Sequence, residues 1–385
     1  MTDRPASARP AMLRRFNERR VLQALQQRGE LSRAEIARVT GVSGPTVTRA
    51  VAGLLAAGLL EEGDVLRAGL GRPGRVLRLA SSNAAVLGVV VEAAQCEVFA
   101  AGLDGRVREA TVRRLDTPPD YRGLVSALAE AARTVRREAG VAVKGLGISV
   151  PGLLDSRDGR TVIAANLPQT NGRQLGEDLS RRLRLPAVIQ KESHALCLAE
   201  QAIGAAQGID DFALLDISEG LGLGVVEGGR LLSGTAGLAG EFGHITVQAD
   251  GRACGCGNRG CLETVATDRA FSEAVSRRVG RLMTVSEIVD EVRSGRLNAD
   301  EELAFTLEYL AIGVAAVVNL FNPTRLFIYG RMLDVADGLF DRLVELAAGR
   351  ALTPSMRMCT IIRARGSKRA GAVAGIVRRL TTDRR

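Results

Sequence analysis

Residues 254–263 read Cys-Gly-Cys-Gly-Asn-Arg-Gly-Cys-Leu-Glu, which puts Cys254, Cys256 and Cys261 close together on a glycine-rich loop. The other three cysteines, Cys96, Cys197 and Cys359, stand singly in apolar surroundings. A secreted disulfide framework would spread pairs along a shorter chain. A tight cluster reads instead as a metal site, with a disulfide or free buried thiols as the alternatives. Zinc takes about four nitrogen or sulfur ligands in a tetrahedral array. His244, one of only two histidines and upstream of the cluster, is the obvious fourth. A Cys3His set leaves no open position for water, so the expected ion is a structural zinc held by His244, Cys254, Cys256 and Cys261.

On either side of this loop, apolar runs alternate with helical patterns. Val86 to Val91 and Val98 to Leu103 read as neighbouring strands closed by Asp104-Gly105. A related pattern returns at Phe212 to Ile217 and Gly222 to Glu227, closed by Gly228-Gly229. Helices over 122–138 and 194–206 and strands over 145–150 and 187–190 lie between them. Such an internal duplication suggests two α/β lobes with a cleft between them.

The first 80 residues differ. The net charge is +9, and 14 arginines against 7 acids place +7 of it there. That asymmetry points to a nucleic-acid-binding module ahead of a nearly neutral domain, or more blandly to an arginine-rich solvated surface. A helix is expected over Met12–Arg28, ended by Gly29, with Leu13, Phe16, Val21, Leu22 and Leu25 on one buried stripe. Ser32 with Glu35 forms a capping box for a short second helix, Thr40-Gly41 makes a tight turn, and Pro45 starts a third helix. That helix buries Val47, Val51, Leu54 and Leu55 and leaves Thr46, Arg49 and Gly53 on its free face. This is a helix-turn-helix arrangement. An acidic turn at 61–64 and the loop Gly71-Arg72-Pro73-Gly74-Arg75 before a strand at 76–79 complete a wing. Candidate DNA contacts are Ser43, Thr46, Thr48 and Arg49 at the helix start and Arg72 and Arg75 on the wing. Ser81-Ser82-Asn83 reads as a polar linker. The expected division is a disordered 1–10, a winged helix-turn-helix over 11–80 and an effector domain over 84–385.

The chain has 385 residues, 46% of them apolar and 25% charged, which suits two or three globular domains. Read by eye, no apolar run approaches the roughly 18 to 20 residues that cross a bilayer. Residues 1–10 are polar and lack a secretory signal, so a cytoplasmic protein with no membrane partner is expected.

The stretch Gly237-Leu-Ala-Gly-Glu241-Phe-Gly-His244, followed by the cysteine cluster and Glu263, resembles the signature of the ROK family of bacterial sugar kinases and sugar-responsive repressors. The resemblance extends over nearly all of 84–385, including Val150-Pro151-Gly152, Asn166-Leu-Pro168 and Asn322-Pro323. It implies a two-lobed, actin-like fold. It also implies a sugar pocket drawing on Gly152, Asn166, Lys191, Glu192, Glu241, His244 and Glu263. In it His244 offers one ring nitrogen to zinc and the other to a sugar hydroxyl. A winged helix in front matches the family's repressor branch.

Two departures set this chain apart from the family's kinases. Where those carry Asp-x-Gly-Gly-Thr for phosphate and magnesium, this chain has Val90-Val91-Glu92-Ala93-Ala94. Where they carry Gly-Thr-Gly, it has Ser218-Glu219-Gly220. Without magnesium and backbone donors, phosphoryl transfer loses most of its positioning and charge neutralisation. The catalytic stretch reads Gln190-Lys191-Glu192-Ser193-His194, with Glu192 in place of the base and Lys191 in place of an Asn that contacts sugar. Lys191 could favour an acidic or phosphorylated sugar, or pair with Glu192 and leave the pocket neutral. His194 reads as a satisfied structural histidine. The expectation is a non-enzymatic, dimeric DNA-binding regulator of the repressor type, reading a double-stranded operator and shifted between states by a sugar or sugar derivative. The alternatives are a kinase with a DNA-binding head, and a regulator with a vestigial pocket governed by a protein partner.

Overall fold

A computed structural model describes residues 10–66 and 74–382. The expectations for Arg72 and for residues 1–9 fall outside the described residues. The chain opens with α1 (Pro10–Arg28), β1 (Leu31–Ser32), α2 (Arg33–Thr40) and α3 (Gly44–Ala56). Ser32 Oγ accepts the Glu35 N–H, and Glu35 Oε2 accepts the Ser32 N–H at 2.8 Å, so the capping box is present. Gly41, at φ +64, ends α2. Val21, Leu22 and Leu25 of α1 bury against Val47, Ala50, Val51 and Leu54 of α3, whereas Leu13 and Phe16, expected on the same buried stripe, are exposed because the core covers only the later turns of α1. Gly53 is not on a free face. A Cβ there would lie 2.7 Å from Glu18 Oε1, because the Arg14–Glu18 pair of α1 crosses over it.

The wing strands are β2 (Leu60–Leu66) and β3 (Gly74–Leu79), which with β1 form a sheet in the order β1-β3-β2. Residues 61–64 were expected as a turn and are part of β2, with an irregularity between Glu62 and Val65. The acids are tolerated in a strand because β3 supplies cations. Arg78 Nε lies 2.7 Å from Glu61 Oε1, and Arg75 Nη1 lies 3.0 Å from Glu62 Oε2.

Then follow β4 (Ala84–Val91), β5 (Gln95–Ala101), β6 (Arg113–Asp116), α4 (Tyr121–Ala139), β7 (Ala142–Val150), β8 (Leu153–Asp155), β9 (Arg160–Ile163), α5 (Leu175–Leu183) and β10 (Ala187–Lys191). The last part of the chain runs α6 (Glu192–Ala202), β11 (Phe212–Asp216), β12 (Gly222–Glu227), β13 (Arg230–Leu231), α7 (Asp268–Val279), α8 (Val285–Arg293), α9 (Asp300–Phe321), β14 (Arg325–Tyr329), α10 (Leu339–Ala348), α11 (Thr353–Met358), β15 (Thr360–Arg363) and α12 (Lys368–Thr382). One five-stranded sheet has the order β10-β7-β4-β5-β6 and the other β13-β12-β11-β14-β15. Both start with an antiparallel three-strand meander and add a strand parallel to its first member, β7 beside β4 and β14 beside β11. The repeat seen in the sequence is thus a repeat of topology.

These elements form two compact units. One holds the chain up to Val150, Gln174–Gln190 and the chain from Ala372; the other holds Pro151–Arg173 and Lys191–Gly371. The winged helix belongs to the first unit, where its core is continuous with Val86, Val90 and Phe99 of the sheet and Val373, Ile376 and Val377 of α12. β4 is buried along its whole length, as expected of a strand with a parallel neighbour and both faces covered. In the second unit α9 is the central core helix. By length and composition it could cross a bilayer, with a mean hydropathy of 1.8 in its best 18-residue window. The sequence reading missed this run, and 56% of that window is buried inside the protein. Phe271, Leu310, Val314, Val317 and Leu326 pack in that core.

Where α12 crosses β7 there is no room for a side chain. A Cβ on Gly147 would fall 1.8 Å from the Ala372 carbonyl oxygen. Gly147→Ala is expected to lower the unfolding free energy by about 1–3 kcal/mol, the usual cost of overpacking, measured by urea denaturation.

Candidate functional site

The metal-ligand set assembles as the spacing implied. The ligand atoms of His244, Cys254, Cys256 and Cys261 all lie within 4.8 Å of one another. Cys256 and Cys261 Sγ are 3.8 Å apart, and Cys254 Sγ is 3.6 Å from His244 Nδ1. Tetrahedral bonds of about 2.3 Å to sulfur and about 2.0 Å to nitrogen place ligand atoms roughly 3.5–3.8 Å apart, so this donor set fits such an ion. The loop reaches this shape through close backbone approach. Thr246 bridges Cys261 and Ala253 bridges Arg259, and a Cβ on Gly260 would fall 1.5 Å from the Gln248 carbonyl oxygen.

From this cluster a line of polar groups runs outward within the second unit. A short 3-10 turn at Phe242–His244 sets Glu241 beside His244, with Glu241 Oε2 3.9 Å from His244 Nε2. His244 thus turns Nδ1 to the thiols and Nε2 toward Glu241. Glu263 Oε1 lies 3.6 Å from His244 Nδ1 and 3.0 Å from Cys254 Sγ, at the edge of the cluster. The remaining oxygen of Glu241 accepts from Lys191 Nζ at 3.1 Å, and Lys191 also donates to the Ala239 carbonyl at 2.5 Å. Lys191, Glu241, His244 and Glu263 are thus brought together.

Glu192 and Asn166 are engaged elsewhere. Glu192 Oε1 meets Lys368 Nζ at 2.6 Å, so it is Lys368, and not Lys191, that neutralises it. Asn166 Oδ1 accepts from Arg269 Nη1 at 2.9 Å. Gly152 has φ +93 and sits against Ile163 and Ala164, where a Cβ would come within 2.6 Å of the Ile163 carbonyl oxygen. Its role there is a backbone turn. Sequence reasoning missed Lys368 and Arg269. The one available signal was composition, since Lys191 and Lys368 are two of only three lysines beside 49 arginines. A compact ammonium suits a buried, crowded carboxylate, where a planar guanidinium needs more space.

Two further carboxyl groups, Asp216 and Asp268, take up donors that follow β11 and β14. Ser218 directs both its N–H, at 3.1 Å, and its hydroxyl, at 2.6 Å, to Asp216 Oδ1. The N–H groups of Arg331 and Met332, which follow the C-terminal end of β14, donate to the Asp268 carboxylate at 2.7 and 2.8 Å. Burial pushes Asp268 up to about 7, against those two hydrogen bonds.

His194 is half-buried and is not the satisfied histidine that the sequence suggested. Its Nε2 is enclosed with no hydrogen-bond partner among the described residues, and burial, with Lys191 adding to it, holds its pKa down at about 3. On the head, Ser43, Thr48 and Arg49 are exposed and Thr46 is half-buried. Ser43 Oγ bonds to Thr46 Oγ1 at 2.9 Å, and Thr48 Oγ1 donates back to the Gly44 carbonyl. Arg75 is exposed and leans on Glu62, which Arg33 also pairs.

The sequence profile of the ROK family matches residues 87–379, and that of a MarR-family winged helix matches residues 15–66. The chain belongs to the ROK family. It is 26% identical over 329 residues to the xylose repressor of Bacillus subtilis, covering 84% of each chain. It is also 26% identical over 365 residues to the transcriptional dual regulator NagC of Escherichia coli, covering 90% of this chain and 85% of that one. A solved ROK-family transcriptional regulator, described as a homologue of the E. coli MLC protein, aligns with a TM-score of 0.79 at 26% identity. That alignment covers 96% of this chain and 97% of the other. ROK sugar kinases are also among the solved structures that align with this chain.

Two measurements follow from the site. Metal analysis is expected to find one tightly held ion per chain in the wild type and a substoichiometric amount in Cys261→Ser, with a lower melting temperature. For His194, the folded state refuses a proton that the unfolded chain takes up below about pH 6.5. This histidine therefore subtracts stability as the pH falls from about 6.5 toward 3, by up to about 1.4 kcal/mol per pH unit. Asp268 acts in the opposite sense between its usual value and about 7. Unfolding of His194→Gln compared with wild type at pH 7.5 and 5.5 isolates the histidine, and the variant is expected to lose less stability on acidification.

Proposed function

We propose that this chain is a sugar-responsive transcriptional repressor, working in the cytoplasm, whose ROK domain binds a sugar or sugar derivative without phosphorylating it. The observation that carries the reading is the exposed start of α3, with Ser43, Thr48 and Arg49 facing solvent on a winged helix ahead of a ROK domain. A recognition helix reads base edges from its N-terminal turns, while flanking cations on the wing meet phosphates. Arg49 and Thr46 take the first role, with Ser43 and Thr48 beside them; Arg72 and Arg75 take the second. The similarity to the xylose repressor and to NagC supports a sugar as effector.

Glu241, His244 and Glu263 are the groups assigned to sugar hydroxyls, a small polar set of the kind that fixes orientation in a pocket; Asn166, whose oxygen is taken by Arg269, would join them only through its amide hydrogens. Lys191 and Lys368 balance Glu241 and Glu192, so Lys191 does not stand as an unpaired cation for an acidic ligand. The ion is zinc, held by His244, Cys254, Cys256 and Cys261. Three sulfurs and an imidazole suit it. Bound there, it would fix the orientation of the His244 ring and keep Nε2 for the ligand side.

Absence of kinase activity rests on the groups already spent. The ammonium of Lys368 occupies the carboxylate that stands in place of the base, and Asp216 and Asp268 occupy the donors that a polyphosphate would need. Phosphoryl transfer depends almost wholly on such positioning and neutralisation. Pairing of two copies completes the reading, because two recognition helices on two half-sites supply specificity. Phe305, Ile312 and Leu320 form an exposed apolar stripe along α9 that suits a second copy.

An operator selected from a randomised duplex library tests the reading. Arg49→Ala is expected to weaken binding to that duplex by about tenfold or more, the worth of a base contact, with a smaller effect on a random duplex. Calorimetry with D-xylose, N-acetylglucosamine and their phosphates should find a ligand, and Glu241→Gln should weaken it at unchanged metal content. Failure to select any operator, or sugar-dependent ATP turnover by the purified protein, would overturn the proposal. Leu320→Glu is expected to shift a dimer to monomer in light scattering.

A further inference from the structure

The strand residue Glu61 and the stretch that follows the wing have a feature that DNA reading by itself does not require. Glu61 lies on β2 and is buried, yet it is an ionisable side chain in a small winged helix. Its Oε2 accepts the Ser81 N–H at 3.1 Å, the Ser82 N–H at 2.9 Å and the Ser82 hydroxyl at 2.7 Å. Its Oε1 accepts from Arg78 Nε at 2.7 Å and the Ser81 hydroxyl at 3.2 Å. One carboxylate thus takes five donors, four of them from two consecutive residues where the head passes into β4.

The acceptors of the same stretch are taken from the other side. Arg108, which lies beyond β5, donates through Nη2 to the Ser81 carbonyl at 2.7 Å and the Ala84 carbonyl at 3.4 Å, and through Nη1 to the Ala139 carbonyl at the end of α4. The Ala80 N–H donates to Leu59 of the head, and the Ala80 carbonyl accepts from Leu103 of the sheet. A tether that only joins two bodies leaves its peptide groups to water and stays pliant. Here the head supplies the acceptors for residues 80–82, and the sheet side supplies the donors. A second fastening lies at the far end of the chain, where Gln26 Nε2 of α1 reaches Thr381 Oγ1 of α12.

We propose that Glu61 is a positioning residue that locks the DNA-reading head to the first lobe, so that the two act as one body and a ligand-driven change in the effector domain is felt at DNA. The second half of this statement rests on the regulatory reading above; the first half does not. The lock is electrostatic, because four neutral donors and one guanidinium converge on a full negative charge, and hydrogen bonds to an ionised acceptor are the strong ones. Burial works to raise the Glu61 pKa, but the Ser82 hydroxyl and amide, Arg78 and the Ser81 amide hold it at about 2. Glu61 is therefore ionised, and the lock closed, throughout the neutral range.

Glu61→Gln tests this with almost no change of volume, since an amide offers one acceptor and turns two hydrogens toward groups that are themselves donors. Hydrogen exchange on the full-length protein is expected to speed up at least tenfold for the Ser81 and Ser82 amides in Glu61→Gln. Peptides from α3 and from the middle of β4 should keep wild-type rates, which shows that the variant is folded. Ser81→Ala/Ser82→Ala, which keeps the carboxylate and both amides, should fall in between. Wild-type exchange at 81–82 in Glu61→Gln would overturn the lock. With the selected operator duplex and whichever of D-xylose, N-acetylglucosamine or their phosphates binds, the second readout is the ratio of DNA affinities with and without sugar. That ratio should shrink at least fivefold in Glu61→Gln, while sugar affinity and sugar-free DNA affinity each stay within about threefold. An unchanged ratio beside accelerated exchange would overturn the coupling. If none of these compounds binds the wild type, the regulatory reading fails, and exchange alone decides the lock.

Discussion

The imidazole of His244 is the point through which the second unit's chemistry is organised. Its Nδ1 faces the thiols and its Nε2 faces Glu241, so one ring lies between the sulfur cluster and the neighbouring carboxylate. A carboxylate on a glycine-rich turn would ordinarily sample many rotamers. Here Glu241 is held by a lysine whose ammonium is itself tied to a backbone carbonyl, with the His244 ring beside it. The glycines of the loop matter for the same reason, since only a residue without a side chain lets the Gln248 carbonyl approach Gly260 closely enough to close it.

The same economy governs the groups at the ends of the strands. The ends of parallel strands in an open α/β sheet carry unpaired donors that recruit anions. In this chain those donors meet carboxylates from its own sequence: Asp216 for Ser218, and Asp268 for the amides after β14. An internal carboxyl group satisfies the backbone at no entropic cost of ligand capture. Lys368 does the corresponding thing to Glu192, so a carboxylate in the place of a base is held as one half of an ion pair.

The head is built into the first lobe by both polar and apolar means. Its helices share a hydrophobic core with the sheet and with α12, and its wing strand contributes the carboxylate that collects the donors of residues 81 and 82. A short stretch rich in serine reads as a flexible joint when its hydroxyls are assumed to face water. Facing a buried carboxylate, the same hydroxyls and amides become the fastening.

Much of this was legible in the order of residues. The capping box at Ser32 and Glu35, the helix start at Pro45, the duplicated strand pattern and the Cys3His spacing are local signals, set by backbone geometry over a few residues, and each reappears where it was read. The misreadings are equally instructive. Glu61 looked like part of a turn because its partner Arg78 is far along the chain. Gly53 looked free because Glu18 lies on another helix. The apolar run of α9 was overlooked because its single acids break it to the eye. Sequence alone therefore determined most of the elements, the set of candidate metal ligands and the family to which the residues belong. The tertiary structure alone decided which charge neutralises which, pairing Lys191 with Glu241, Lys368 with Glu192 and Arg269 with Asn166. Such pairings join residues up to 176 positions apart, and their energy depends on distance in space and on burial, neither of which is written in local sequence.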